Sequence, residues 1–248
     1  MADNPHLILA SNSPRRRQLL ALTGWTFNVM SAEVDERLLP DEAPHDYVLR
    51  LARSKVRACL SCLHLPCTER RTVWRRHRWR LDQGAESASE GGLILAADTA
   101  VVDGKAILGK PKDKTEAVEM LAALRGHSHQ VCTGIAILRR EDGRMITDLC
   151  VTEVPMRAYG DEEIAGYVAT GDPLDKAGAY AIQHPQFQPV EKLSGCYASV
   201  MGLPLCHLVR NMRRLEVTPA ADVPTNCQSA LDYACPIFRA VLSGEQIG

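Results

Sequence analysis

The sequence predicts a mixed α/β fold, and three stretches carry that prediction. LILA at 7–10 is an apolar run of buried-strand length, followed at once by SNSPRRRQLLALTG, in which Leu19, Leu20 and Leu22 have helical spacing. LILAADTAVVDGKAIL at 93–108 reads as two strands joined at Asp103-Gly104, a two-residue hairpin signal. Two long strand-like runs, Val131 to Leu138 and Met145 to Arg157, lie between helical patterns at Lys114 to Leu124 and Asp161 to Thr170. Strands and helices thus alternate along one chain.

Composition sets the bounds. The 248 residues are 46% hydrophobic and 24% charged, which is near the globular average and enough to bury a core. Length favours one main domain with appendages. Aromatic residues make up 5%, so the core is Leu, Ala, Val and Ile, and stacking platforms for nucleic acid are disfavoured. Collagen, coiled-coil and membrane classes are excluded, since no apolar run approaches 20 residues. The N-terminus MADNPHLILASNSPRRR puts charge and Pro where a signal peptide needs apolar residues, so the expected location is cytoplasmic. Nine Cys without a secretion signal favour reduced thiols. Cys59, Cys62, His64 and Cys67 lie close together, but a second CxxC is missing and the first part reads as helix, which disfavours zinc.

The net charge of −1 hides an asymmetry: Glu69 to Arg80 holds six Arg against one Glu. With QGAESASEGG after it, the stretch from about 63 to 92 reads as a basic, flexible insertion. Its Arg, Trp74 and Trp79 suit RNA, anionic lipid or an acidic partner, but a basic loop with no fixed partner is the favoured reading.

The remaining elements follow in order. Ser13 is the expected cap of the first helix, with Pro14 at its first position and Gly24 past its end. Phe27 to Met30 is a second strand, and Pro44 to about Ser61 a long amphipathic helix with Tyr47, Val48, Leu51, Val56 and Leu60 on one face. Asp161 is the expected cap of its helix. Gly202 to about Leu215 forms the last helix of the main body, which spans 1–215. In 216–248, TPAADVPTN reads as a linker leading to a small helical tail from Gln228 to Leu242.

SNSPRR places hydroxyls, free amides and guanidinium groups at a helix start directly after a strand, a site suited to phosphate. Asp98 follows the apolar run Leu93 to Ala97 and is expected at a strand end. Lys110 lies in LGKP, and Asp175-Lys176 repeat the pairing of acid and base. Together they suggest a cleft with carboxylates for a divalent ion and cations for phosphates, the apparatus of phosphoanhydride hydrolysis. Among the histidines, His6, His45, His127, His129 and His207 show no ligand pattern.

SNSPRR, VDE at Val34 to Glu36, LARSK ending at Lys55, ILAADTAVV, LGKP, TGDPLDKAGAYAIQ and GLPL occur in one order, and that order resembles the Maf family of nucleoside triphosphate pyrophosphatases. The resemblance implies an inosine triphosphate pyrophosphatase-like fold, a twisted mixed sheet flanked by helices with a central cleft. It implies a house-cleaning hydrolase that cleaves a nucleoside triphosphate with a divalent cation, Mg or Mn, and works as a homodimer. Asp98 matches the proton acceptor, with its role as base, metal ligand or both left open, and Glu36 the metal-associated acid. Ser11, Arg15, Arg16, Lys55 and Lys110 match phosphate-binding positions, with Lys55 and Lys110 grouped with Asp98 as catalytic. Thr99, Asp175, Lys176 and Gln183 complete the substrate side. Arg15, Thr99 and Gln183 fit the type acting on dTTP and UTP, and the Gln183 amide can both donate to and accept from a pyrimidine edge.

Two departures bear on this. His184, Pro185, Gln186 and Phe187 follow Gln183 where the family has Gly and a short apolar stretch, which is expected to reshape the base pocket. Cys196 and Ala198 stand where Ser and Asn are usual. The alternatives are a pyrophosphatase for 7-methyl-GTP and a nucleotide-binding regulator of cell division or septum formation with little turnover.

Overall fold

The computed structural model describes residues 6–30, 33–64 and 92–248. The basic insertion, Cys67 included, therefore lies outside the described residues. Strands β1 (Leu7–Leu9), β2 (Phe27–Val29), β3 (Leu93–Asp103), β4 (Ala106–Leu108), β5 (Ser128–Arg139) and β6 (Met145–Pro155) form one mixed sheet in the order β2-β1-β3-β5-β6, with β4 on β3. β1 is parallel to β2 and β3; β5 runs antiparallel to both of its neighbours, β3 and β6.

One feature of the register makes the site. β5 pairs with β3 along Leu93 to Val102, whereas the other margin of β3 is shared by two short partners: β1 at Leu93 to Leu95 and β4 at Val101 to Asp103. Between them the margin is unpaired, and Asp98 and Thr99 stand in that notch. Asp98 is therefore in the middle of an 11-residue strand, not at a strand end as its sequence context suggests. The apolar run breaks at Asp98 because the sheet opens there, while the strand continues against β5.

Strand alternation sends neighbouring residues to opposite faces. Ile94, Ala96, Ala100 and Val102 pack toward α2 (Pro44–Leu63), whose Val48, Ala52, Val56 and Cys59 fill the space over that face. Leu93, Leu95, Ala97 and Val101 face the other layer: α1 (Pro14–Ala21), α3 (Lys114–Leu124), α4 (Asp161–Ala169), a single turn α5 (Tyr197–Val200) and α6 (Leu205–Arg213). Gly134 lies across from Asp98, and a Cβ there would come within 2.9 Å of the Val48 carbonyl. The missing side chain lets α2 lie close on the sheet.

Local capping agrees with the sequence at α1, where the Ser13 side chain accepts from the Arg16 amide, Pro14 opens the helix and Gly24 has φ 74°. It differs at α4: Gly160 is the cap, its amide bonded to Glu163 at 2.8 Å, and Asp161 is the first helical residue. The hairpin loop is Gly104-Lys105, one residue later than Asp103-Gly104, because Asp103 still pairs with Ala106.

After Glu216 a helical tail is present as expected, and it starts at Val223, inside the stretch read as linker. Two helices, α7 (Val223–Leu231) and α8 (Phe238–Ser243), dock on the body, with Val223 and Val241 each 1% exposed. Asp222 caps α7 by accepting from the Thr225 amide. Trp25 donates from its indole to the Thr218 carbonyl at 3.3 Å, and Tyr233 donates to the carbonyls of Leu193 and Gly195. Arg210 pairs with Asp148 at 2.7 Å with both side chains under a tenth exposed, and it also reaches the Val241 and Glu245 carbonyls. The eight described cysteines are all free thiols, and Cys59 and Cys62 are buried in α2.

Candidate active site

The notch opens into a cleft of about 900 Å³, of the size that takes a nucleotide. Ser11, Arg15, Arg16, Glu36, Lys55, Asp98, Thr99, Lys110, Asp175, Lys176 and Gln183 all line it, so the structure brings these eleven candidate site residues to one place.

Two layers meet there. On the α2 face, the Lys55 ammonium donates to Asp98 Oδ1 and lies 2.9 Å from Glu36. The Lys55 and Asp98 side chains are 12% and 10% exposed, whereas Glu36 is 59% exposed. On the opposite face, Arg16 donates from Nε to the Gly202 carbonyl at 2.8 Å, from Nη1 to Ser11 Oγ at 3.4 Å and from Nη2 to Thr99 Oγ1 at 3.1 Å. Thr99 and Thr133 hydroxyls are 2.9 Å apart, and Thr133 is 2.9 Å from the Ser199 carbonyl. A carbonyl only accepts, so the chain runs one way: Arg16 donates to Thr99, Thr99 to Thr133, and Thr133 to Ser199. Burial lowers the pKa of the Arg16 guanidinium, opposed chiefly by the Asp98 charge.

Five cations and four carboxylates line the cleft, but they are unevenly matched. Lys55 is shared by Asp98 and Glu36. Lys176 donates to Asp172 Oδ1 at 2.9 Å, to the Asp172 carbonyl at 2.7 Å and to Asp175 Oδ1 at 2.6 Å, so all three of its protons are engaged. Arg15 and Lys110 form no ion pair among the described residues. With Arg16 they leave three cations to meet an anion, each able to make the strong, charge-assisted kind of hydrogen bond.

Several further residues of the site were not singled out from the sequence as functional. Asp172 lines the cleft and accepts from Tyr167 at 2.7 Å. Tyr180 lines it with its hydroxyl against the buried His129 at 2.9 Å, and Tyr47 enters from α2. Burial raises the Tyr47 phenol, with Asp98 and Glu36 adding to the shift, so it remains a donor. Thr133 is fully buried behind Thr99. Only Asp172, the first acid of DPLDK, carried a local signal.

The departures in sequence prove to lie away from the cleft. Phe187 stacks on Tyr167 at 4.3 Å and packs on Tyr159, and the Phe187 amide bonds His184 Nδ1. None of His184 to Phe187 lines the cleft; His184 and Phe187 pack behind it on Tyr167. Cys196 and Ala198 face the docked C-terminal helices instead.

No group of three or more His, Cys, Asp or Glu converges on a metal position among the described residues. Glu36 and Asp98, both within reach of Lys55, offer carboxylate oxygens alone. That donor set fits Mg²⁺ or Mn²⁺ in the manner usual for nucleotide sites, with one or two carboxylates completed by phosphate oxygens and water.

A mixed sheet notched at its central strand, with a lysine-bridged carboxylate pair facing uncompensated cations, defines a class: an α/β protein that holds a polyanion beside carboxylates. A family model described as Maf-like protein matches residues 6–215. The dTTP/UTP pyrophosphatase of Geobacter sulfurreducens is 43% identical over 213 residues, 86% of this chain and 98% of that protein. That of Anaeromyxobacter dehalogenans is 43% identical over 212 residues, 85% and 94% of the two chains. That of Dehalococcoides mccartyi is 38% identical over 238 residues, 95% and 93%, and so reaches well into the segment beyond 215. The chain belongs to the Maf family. No described helix is long and apolar enough to cross a membrane.

Proposed function

We propose that the protein is a nucleoside triphosphate pyrophosphatase that hydrolyses dTTP and UTP to the monophosphate and pyrophosphate. The observation that carries this reading is the Lys55 bridge between Asp98 and Glu36, set in a cleft where Arg15, Arg16 and Lys110 have no carboxylate partner among the described residues. Relatives about 40% identical over nearly their whole length and named for that activity support it.

In this reading Arg15, Arg16, Lys110 and Ser11 hold the triphosphate, and the Gln183 amide meets the pyrimidine edge. Lys55 fixes the Asp98 carboxylate through Oδ1, while Oδ2 takes no partner among the described residues. Asp98 accepts the proton of a water as its oxygen bonds to the α-phosphorus. The bond from that phosphorus to the bridging oxygen breaks, and pyrophosphate leaves on the cations. Glu36 and Asp98 would hold the divalent cation, Mg²⁺ or Mn²⁺, which when bound neutralises charge and polarises phosphoryl oxygens. Lys176, fully engaged by Asp172 and Asp175, shapes the rim.

Residues 1–215 form the catalytic domain and 216–248 a docked extension, and the working state is a cytoplasmic homodimer. Hydrolysis of dTTP in ¹⁸O-water tests the chemistry: label in the monophosphate is expected, and label in the pyrophosphate would place the attack at the β-phosphorus and refute it.

A further inference from the structure

Glu36 sits in a segment, 33–43, that has no helix or strand of its own. Such a segment leaves its carbonyls to water and its side chains free to wander. Here three consecutive carbonyls are instead bonded by side chains of α2. The Tyr47 hydroxyl donates to the Glu36 carbonyl at 2.9 Å. Arg50 donates to the Arg37 carbonyl at 3.0 Å and, more weakly, to the Asp35 carbonyl at 3.5 Å.

The same guanidinium grips Glu42 with two bonds, 2.5 and 2.8 Å, and Glu42 in turn accepts from the Leu39 amide at 3.1 Å. The Glu42 side chain is 7% exposed, which is unusual for an acid in an open loop. Tyr47 and Arg50 are three residues apart and so share one face of the helix. The helix that supplies Lys55 thus also supplies both groups that hold the backbone on either side of Glu36. Arg50 does not line the cleft.

We propose that Tyr47 and Arg50 are positioning residues that set the Glu36 carboxylate against Lys55, and thereby set the affinity of the cleft for its divalent cation. This rests on the reading of Glu36 as a metal-associated acid. The Arg50 fork is matched to a carboxylate and two carbonyls at once, a geometry that a lysine ammonium does not reproduce.

The test is Mn²⁺ binding to the full chain, followed by electron paramagnetic resonance with a non-hydrolysable dTTP analogue present, together with the Mg²⁺ dependence of turnover. Tyr47→Phe removes one hydroxyl, and Arg50→Lys keeps the charge, so each variant is expected to fold, as a circular dichroism spectrum verifies. Each should weaken Mn²⁺ binding and raise the half-saturating Mg²⁺ concentration about three- to tenfold, with the dTTP KM at saturating metal changed less than twofold in Arg50→Lys, whose side chain lies outside the cleft. In a Glu36→Gln background, Tyr47→Phe should add nothing further. Parental Mn²⁺ affinity in both Tyr47→Phe and Arg50→Lys, with affinity lost in Glu36→Gln, overturns the positioning role alone. Parental affinity in Glu36→Gln overturns the metal role of Glu36, and the proposal with it.

Discussion

Lys55 and Asp98, from α2 and the centre of β3, meet in a hydrogen-bonded ion pair that is nine-tenths buried yet borders the cleft. Leaving out a Cβ at Gly134 makes this possible, because α2 can lie close enough for a lysine to reach the strand. A buried pair of this kind contributes little net stability, since desolvation offsets the attraction, and its value lies in fixing geometry. The Asp98→Asn variant should keep nucleotide binding within a few-fold and lose about 10²- to 10⁴-fold in kcat, the range of a general base. Single-turnover pyrophosphate release beside a binding titration checks it; a kcat near parental would remove Asp98 from the chemistry.

Thr133 ends the donor chain that begins at Arg16. Replacing it with Val leaves Thr99 without its acceptor and frees Arg16 to turn. The expected result is a rise of about three- to tenfold in dTTP KM, restored by Thr133→Ser, with kcat nearly unchanged. A steady-state comparison of the three proteins decides this, and an unchanged KM would mean Gly202 and Ser11 hold Arg16 without help from the Thr99–Thr133 chain.

The α-helical framework was legible because spacing and caps are local. Pro14, Ser13 and the Leu19-Leu20 pair define α1, and Lys114 to Leu124 matches α3 residue for residue. The notch at Asp98 was not, since it depends on β1, distant in sequence, stopping short of β4, the next strand along, so that each covers only part of β3. Thr133, Gly134, Tyr47 and Arg50 act across the fold and carry no local signature. The C-terminal helical tail was legible, but its start was hidden by composition: TPAADVPTN has the Pro and Ala of a linker, although Asp222 and Pro224 are also a helix start. Glu36 in its loop was visible only through the family resemblance.

Arg210 joins that C-terminal segment to the body. Its replacement by Ala leaves the Asp148 carboxylate buried with only the Asn211 amide and the Leu149 amide to answer it. The expected loss is about 3 to 5 kcal/mol, read as a lower urea midpoint. Turnover per folded molecule should stay at the parental value, because Arg210 lies outside the cleft. A urea midpoint unchanged from the parent would show that the extension is not latched through this pair.

His129 is 2% exposed, and burial holds its pKa at about 4, below the usual 6.5. Between those values the folded chain binds fewer protons than the unfolded one, so this group's contribution is intact above pH 6.5 and falls as pH drops toward 4. The loss reaches up to about 3 kcal/mol. Urea unfolding at pH 7 and pH 4.5 should show a steeper decline for the parent than for His129→Gln. Equal declines would mean the imidazole takes up its proton without cost.

The base preference of the cleft is read from pyrophosphate release with Mg²⁺ or Mn²⁺ across dTTP, UTP, CTP, 7-methyl-GTP, ITP and the standard purine triphosphates. Selective turnover of dTTP and UTP, lost in Gln183→Ala, is the predicted result. Turnover led by 7-methyl-GTP, or none at all in a folded protein that still binds nucleotide, would contradict it.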